Sequence, residues 1–157
     1  MAEQEKLKLA RTTFETLCKA LEHHDWHYKK DEENLTIECG AQGDDLPMEI
    51  TVVIDPERML VILMSHLPFV IQEDKRLDAA VAVSAVNFAL VDGSFDYDIK
   101  SGHVIFRMSN SFMESLVGEE MFMYMILVSC HTIDEYNDKL LMLSKGMISL
   151  EQFISNI

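Results

Sequence analysis

Apolar residues recur along the chain with two different periods, and the period predicts which segments are helical. Spacings of three and four predict helices over about 4–24, 74–91 and 113–144. The last one stops near Gly146 and is followed by a short helical tail, LEQFI. The stripe of the first helix consists of Leu7, Ala10, Phe14, Leu17 and Leu21. The stripe of the second helix consists of Leu77, Val81, Ser84 or Ala85, and Phe88. Five alanines keep this second helix slim enough for close packing on more than one side.

Apolar residues at alternate positions predict the strands, which are bounded by polar turn residues. The predicted strands cover about 26–30, 35–39, 48–55, 58–67, 95–99 and 104–108. The strand over 58–67 is apolar almost throughout, which is typical of a central strand covered on much of both faces. The order α-β-β-β-β-α-β-β-α predicts a single α+β domain over residues 1–157, with an antiparallel sheet.

The stretch FDYDIKSGHVIFR, residues 95–107, places two carboxylates ahead of a glycine and is a candidate metal-binding loop. When Asp96 is counted as the first position of a calcium loop, Lys100 and Arg107 occupy positions that require oxygen ligands. Cations there would oppose Ca²⁺. A β-hairpin accounts for the same residues, because apolar side chains alternate with the aspartates and Gly102 completes the turn. The sequence therefore predicts a hairpin and no metal site.

The charge balance limits the classes of partner. The chain has 27 acidic and 13 basic residues, a formal net charge of −14 over 157 residues. Such a surface repels polyanions, which argues against nucleic acid and anionic membranes as partners. Residues 31–57 carry nine acidic side chains and no lysine or arginine, which is typical of a solvated face but also suits a basic partner. The longest apolar run, 121–130, is shorter than the roughly 20 residues that a membrane-spanning helix needs.

The cysteines indicate the compartment. Cys18, Cys39 and Cys130 are odd in number, widely spaced and set among apolar residues, which predicts buried thiols in a reducing compartment. The first residues are charged and amphipathic, without the long apolar core of a secretory leader. We therefore expect a soluble, cytoplasmic protein.

Candidate catalytic and metal-ligating groups are few. The segment HHDWH groups His23, His24 and His27, but the first helix is expected to end near His24, and the pattern is not HExxH. Cys130 and His131 are adjacent on a predicted helix, where successive side chains point roughly 100° apart and cannot easily form an acid–base pair. There is no GxSxG, GxGxxG or Walker A spacing. The sequence predicts no catalytic residue and no cofactor.

Methionines gather near the start of the last predicted helix. The chain has 11 methionines, and the helix is apolar on nearly all sides between about 121 and 128. Such a helix is normally buried, but flexible thioethers also suit adaptable binding surfaces. The partner-binding candidates are Met121, Met123, Met125 and Phe122. Exposed residues on the strands between 35 and 67 are the alternative binding surface.

The order of elements and several landmarks resemble the YbjN-domain proteins. In that family an asparagine near the end of the middle helix precedes a G-x-F strand, a turn glycine and a returning strand that ends in an aromatic residue and arginine. The matching positions are Asn87, Gly93, Phe95, Gly102, Phe106 and Arg107. Tyr136 and Gly146 match landmarks of the closing helix, and the resemblance extends from about residue 26 onward.

The resemblance implies a fold and leaves the activity open. These bacterial proteins, labelled sensory transduction regulators, are similar in fold to type III secretion chaperones, with helices on one side of a strongly bent antiparallel sheet and often as homodimers. The motif contains no catalytic residues. The first hypothesis is therefore a non-enzymatic, homodimeric protein that binds an unknown protein client, in the manner of a chaperone or regulator. The alternative is a domain that senses a small molecule between sheet and helices, and a metal-dependent enzyme using HHDWH ranks last.

Overall fold

The computed structural model describes residues Met1 to Ile157, and its elements follow the predicted order. A short 3₁₀ turn, Glu73–Lys75, leads into the second helix. The helices are α1 (Glu3–His23), α2 (Arg76–Ala89), α3 (Glu119–Ser144) and α4 (Leu150–Ser155). The strands are β1 (Tyr28–Asp31), β2 (Thr36–Gln42), β3 (Pro47–Asp55), β4 (Leu60–Val70), β5 (Ser94–Asp98) and β6 (His103–Ser111).

All six strands form one antiparallel sheet in the order β1-β2-β3-β4-β6-β5. This arrangement confirms the predicted α+β fold, and β4 is central as expected. The pairing of β4 with β6 shifts register between His66 and Val70. An irregularity of this kind bends a strand and increases its local twist.

One face of the sheet is buried against α1 and α3, which pack on β3, β4 and β6. Burial alternates along β4: Val61 and Leu63 are buried, whereas Ile62 and Met64 on the other face are only partly buried. The expectation that β4 is covered on both faces is therefore wrong for the single chain. Four of the five predicted α1 positions enter the core, and Leu7 remains exposed.

The last long helix begins later than predicted. The segment expected to be helical from about 113 is irregular up to Gly118, which is the N-cap of α3. Glu114 has φ +51°, which a right-handed helix does not accommodate, and the Phe112 amide donates to the Met59 carbonyl at 3.1 Å. The end of α3 at Ser144 agrees with the predicted stop. No helix of the chain is both long and apolar enough to cross a bilayer.

Candidate functional site

The predicted partner-binding residues at the start of α3 do not form one surface. Phe122, Met123 and Met125 are buried in the core, whereas Met121 is 41% exposed. Protein interiors are close-packed, so a partner could not reach the three buried side chains without moving their neighbours. We therefore remove these three residues from the set of partner-binding candidates, because they pack in the core instead. For Met121 the partner-binding role stays a prediction.

A narrow apolar band follows the outer side of α3. We define the α3 stripe as Met121, Tyr124, Leu127 and Val128. No charged residue occurs from Met121 to Cys130. The Tyr124 hydroxyl donates a hydrogen bond to the Asp92 carboxylate, which raises the pKa of Tyr124. The phenol is thereby held as a neutral donor, and the middle of the stripe is fixed to the loop that precedes β5.

A longer apolar surface runs along the outer side of α2 and beside α4. We define the α2–α4 groove as Ala80, Val81, Ser84, Ala85, Phe88, Ala89, Ile154 and Ile157. Phe88 is 95% exposed. Leu77, one turn before Val81, is 76% exposed and continues the apolar row of the groove along α2, so we count it with the groove. The predicted stripe of α2 is therefore one face of the helix, but this face points outward. The opposite, buried face carries the smaller residues Ala79, Ala82, Val83 and Val86.

The wall that α4 contributes to the groove is held in place at both ends of its first turn. The Ser149 hydroxyl accepts from the Gln152 amide at 3.1 Å, and the Gln152 side chain accepts from the Ser149 amide at 2.9 Å. This capping box satisfies two amides that a short helix would otherwise leave unpaired. Phe153 is buried and anchors the helix from below. The sequence pattern SLEQ contains this capping signature, and the short helical tail predicted over LEQFI is confirmed.

The family landmarks meet where α2 runs beside the sheet edge. The Asn87 side chain accepts from the Phe95 amide at 2.8 Å and donates to the Phe95 carbonyl at 2.9 Å. These two backbone groups face away from β6 and would otherwise form part of an open edge. One side chain thus ties α2 to β5 and occupies the edge groups of Phe95, the second residue of a five-residue strand.

Gly93 and the aromatic landmarks pack directly next to this contact. Gly93 has φ +72°, and a Cβ there would overlap Phe106. The rings of Phe95 and Phe106 are 5.1 Å apart, edge to face, and Phe95 also meets Tyr136 of α3 at 6.1 Å. Such aromatic contacts add to the apolar burial. The landmarks therefore join the β5–β6 hairpin to α2 and α3, a structural role.

The structure confirms the predicted hairpin over residues 95–107. The remaining landmarks, Arg107 and Gly102, belong to it. Arg107 pairs with Asp96 across the two strands at 2.6 Å. The Asp98 carboxylate accepts from the Ser101 hydroxyl at 2.7 Å and from the Lys100 amide at 3.0 Å, and these bonds lower the pKa of Asp98. Gly102 has φ +79° and completes the turn. Both aspartates are thus occupied by neighbours of the hairpin itself.

The histidines of HHDWH separate at the end of α1. His23 lies 2.8 Å from Glu119 at the start of α3, while His24 lies 2.9 Å from the Ala20 carbonyl oxygen. Asp25, with φ +56°, then redirects the chain toward β1. Across the structure no three His, Cys, Asp or Glu side chains are grouped so as to hold a metal ion.

The cysteines are free thiols with low reactivity at neutral pH. Cys18 and Cys39 are buried, and Cys130 is partly buried. Burial raises the pKa of Cys39 to about 12, with a smaller contribution from Cys130, and raises that of Cys130 to about 11. The nucleophilic form of a cysteine is the thiolate, which these values disfavour.

The space that a small molecule would need between sheet and helices is filled by side chains. Phe106 from the sheet and Phe122 from α3 are both fully buried there. An open cleft of about 450 Å³ lies instead between the loop before β5, β6 and α3. The ionic groups at this cleft are Asp92, which accepts from Tyr124, and Arg107, which pairs with Asp96. Each of these two ionic groups is therefore already engaged by a neighbouring side chain.

The alternative binding surface on the strands is the second face of the sheet. Its centre is apolar and partly buried, with Val53 opposite Ile62 in the register of β3 and β4. Toward β2 the face becomes acidic, since Glu38 and Glu49 are exposed there. Lys29 lies opposite Glu38 in the register of β1 and β2. This face is less apolar and better covered than the outer side of α2.

Comparisons with known proteins identify the fold. YbjN from E. coli, described as a candidate transcription regulator, matches with a TM-score of 0.58 and 14% identity over 80% of this chain and 92% of that chain. A chain of the HopA1–SchA chaperone–effector complex matches with a TM-score of 0.52 and 15% identity over 78% of this chain and 91% of that chain. No family model and no curated protein matches the sequence. The likeness confirms the predicted YbjN and type III secretion chaperone fold, and at these identities it establishes the fold alone.

Proposed function

We propose that this chain, which has the fold of YbjN and of a type III secretion chaperone, is a non-enzymatic module that binds a protein client. The observation that carries the proposal is the α2–α4 groove, where Phe88 and Val81 are exposed together. Burying one large apolar side chain is worth roughly 1.5–3 kcal/mol, so monomers rarely leave such residues together in water. A client that covers the groove would gain this free energy.

The character of the fold neighbours supports the same class of function. One of them is part of a chaperone–effector complex, and the other is described as a candidate regulator. We extend a protein-binding role to this chain on the strength of its own exposed surface, since a fold alone does not determine a function. The proposal treats residues 1–157 as one domain, because a single cluster of 37 buried residues joins the four helices and five of the six strands, and Tyr28 of β1 packs against it. The free thiols fit a reducing, cytoplasmic setting.

Capture from a cell lysate with matched variants tests the proposal. We expect the tagged chain to recover one protein in near-equal amount, measured by quantitative mass spectrometry. We expect the double variant Leu77→Ser/Phe88→Ser to lose that protein. Both side chains are exposed, so the free energy of unfolding should change by less than about 0.5 kcal/mol per substitution.

The control is Leu116→Ser, which removes an equally exposed leucine outside the groove and should leave capture unchanged. Thermal unfolding of all three proteins shows whether they remain folded. Equal recovery by the groove variant, or a tagged chain that recovers only itself, would contradict client binding through the groove.

The proposal includes a homodimer formed through the α3 stripe. In a two-fold contact each surface meets its own copy, so like charges would face one another. The run from Met121 to Cys130 contains no charge, which suits such a contact. Leu127 and Met121 are exposed on it, and a second copy would cover them.

Sedimentation velocity over a range of concentrations tests this second surface. We expect the native chain to sediment as a dimer and Met121→Ser/Leu127→Ser to sediment as a monomer, because the contact loses its apolar side chains. Leu77→Ser/Phe88→Ser serves as the control and should remain dimeric. A monomeric native chain would refute the dimer. Dissociation by the groove variant instead would place the second copy in the α2–α4 groove.

A further inference from the structure

We propose that the occupant of the α2–α4 groove is an amphipathic α-helix of the client, with lysine or arginine on both sides of its apolar face. This inference rests on the proposed function and adds the chemistry of the bound segment. Three features of the groove carry it: the spacing of its apolar residues, the kind of surface that surrounds them, and the sign of the charges along its rim.

The spacing of the apolar residues matches a helix. Along α2, Val81 and Phe88 follow Leu77 by four and eleven residues. The small residues Ser84 and Ala85, at i+7 and i+8, lie between Val81 and Phe88. The row therefore runs parallel to the axis of α2 for most of its length. A second helix can lay its own i, i+4 ridge beside such a row, and small residues in the floor allow the two backbones to approach closely.

The surroundings of the groove favour a segment that satisfies its own backbone hydrogen bonds. Both walls are helices, so they present side chains and no free strand edge. The nearest strand edge, β5, has its outward amide and carbonyl at Phe95 occupied by Asn87. An extended client segment would find these two backbone groups already occupied. A helix pairs its amides and carbonyls internally and needs only an apolar surface.

The charges beside the groove select a basic partner. Asp78 lies one turn before Val81, and Glu151 lies one turn before Ile154. Lys75 and Arg76 at the start of α2 are already engaged, as described below. Lys145 lies just before the α4 segment, and residues 146–157 contain no lysine or arginine. Basic residues flanking an apolar helix face would therefore meet the Glu151 carboxylate and the partly offset Asp78 carboxylate. A second copy of this chain that bound in the groove through the same surface would bring an identical acidic rim against it, so like charges would oppose that contact.

Two cations lie at the start of α2. Lys75 is 4.0 Å from the Asp78 carboxylate, so it offsets one charge of the rim in part. The Arg76 guanidinium points to the hairpin turn, where it donates to the Lys100 carbonyl at 2.5 Å. The other rim carboxylate, Glu151, has no lysine or arginine partner.

Three fluorescein-labelled synthetic peptides test the inference by anisotropy titration with the full chain at physiological salt. Each has about 18 residues, roughly 27 Å of helix, and the same leucine and alanine face. The first has lysine flanks, the second glutamate flanks, and the third has lysine flanks with two central prolines that prevent a helix. We expect the first to bind and the other two to bind at least about tenfold more weakly.

Variants of the chain locate the bound peptide. Leu77→Ser/Phe88→Ser should weaken the lysine-flanked peptide at least about tenfold, whereas Leu116→Ser should not. Asp78→Asn/Glu151→Gln should also weaken it and flatten the dependence of its affinity on salt.

Each other outcome overturns a stated part of the inference. Equal binding of the proline peptide would exclude helix recognition, and equal binding of the glutamate peptide would exclude charge selection. Binding that survives Leu77→Ser/Phe88→Ser would place the peptide elsewhere on the acidic surface. If no peptide binds, the helical occupant is wrong. In that case the capture from lysate still tests client binding, because it does not depend on the conformation or charge of the client segment that binds.

Discussion

Gly93→Ala is expected to lower the free energy of unfolding by about 3 kcal/mol, measured by urea denaturation. Two effects add. The backbone at Gly93 has φ +72°, which residues with a Cβ rarely adopt. The new methyl group would also overlap the Phe106 ring and lie 3.1 Å from the Arg107 carbonyl oxygen. Phe106 is fully buried, so its ring cannot move aside without disturbing the core.

Gly40→Ala is the matched control for this substitution. A Cβ at Gly40 would have the Met48 carbonyl oxygen as its nearest neighbour, at an ordinary 3.6 Å. Gly40 is exposed in β2 and does not have a positive φ. We expect the control to keep or slightly raise stability, because alanine loses less backbone entropy than glycine on folding. Equal stability of the two variants would mean that Phe106 does not approach Gly93 closely.

Asn87→Ala is expected to lower the free energy of unfolding by about 2–4 kcal/mol. Alanine removes both hydrogen bonds to Phe95 and leaves a strand amide and carbonyl without partners. Phe95 itself is buried, so water cannot readily replace the lost side chain. The exposed edge of β5 should also make the variant more prone to self-association. Urea denaturation measures the first effect, and light scattering at increasing concentration measures the second.

Asn110→Ala provides the comparison, because it deletes the same amide from a neighbouring strand. The Asn110 side chain lines the open cleft beside β6. Its loss should change stability by less than about 0.5 kcal/mol, as is usual for a surface substitution. If both asparagine variants were equally stable, the contact of Asn87 with Phe95 would not hold α2 to the sheet.

The element order was accessible from the sequence because periodicity is a local property of the chain. Alternation of apolar and polar residues identified β3 and the β5–β6 hairpin, and the spacing of three and four identified α1. The start of α3 was misplaced because residues 113–117 continue its apolar character up to Gly118. Composition alone does not distinguish a last helical turn from an irregular segment that follows a strand.

The sequence resemblance identified which landmark residues belong together, but it did not reveal what each of them does. The sequence resemblance selected Asn87, Gly93 and Phe106 as a group, and the structure brings them together. Their roles, however, depend on contacts between α2, β5 and β6. The Asn87 side chain bonds the backbone N–H and C=O of Phe95, and a contact of this kind produces no periodic pattern in the sequence.

The candidate surfaces show the limit of sequence patterns most clearly. The α2 helix has apolar residues on more than one side, so its pattern does not reveal which side faces the core. In the structure the small residues around Ala82 pack inward, and Phe88 remains in water. The same ambiguity affected α3, where three of the four candidates proved to be core and only Met121 reached the surface.

The sequence by itself determined the class of fold, the strand and helix order, the hairpin at residues 95–107 and the strongly acidic character of the protein. These properties follow from local periodicity, turn chemistry and summed charge, which require no knowledge of distant contacts. Only the tertiary structure decided which apolar residues remain exposed. Burial depends on which helix faces compete for the limited area of one sheet face. Two apolar faces of the same helix cannot both be covered there, and the face left over is the α2–α4 groove.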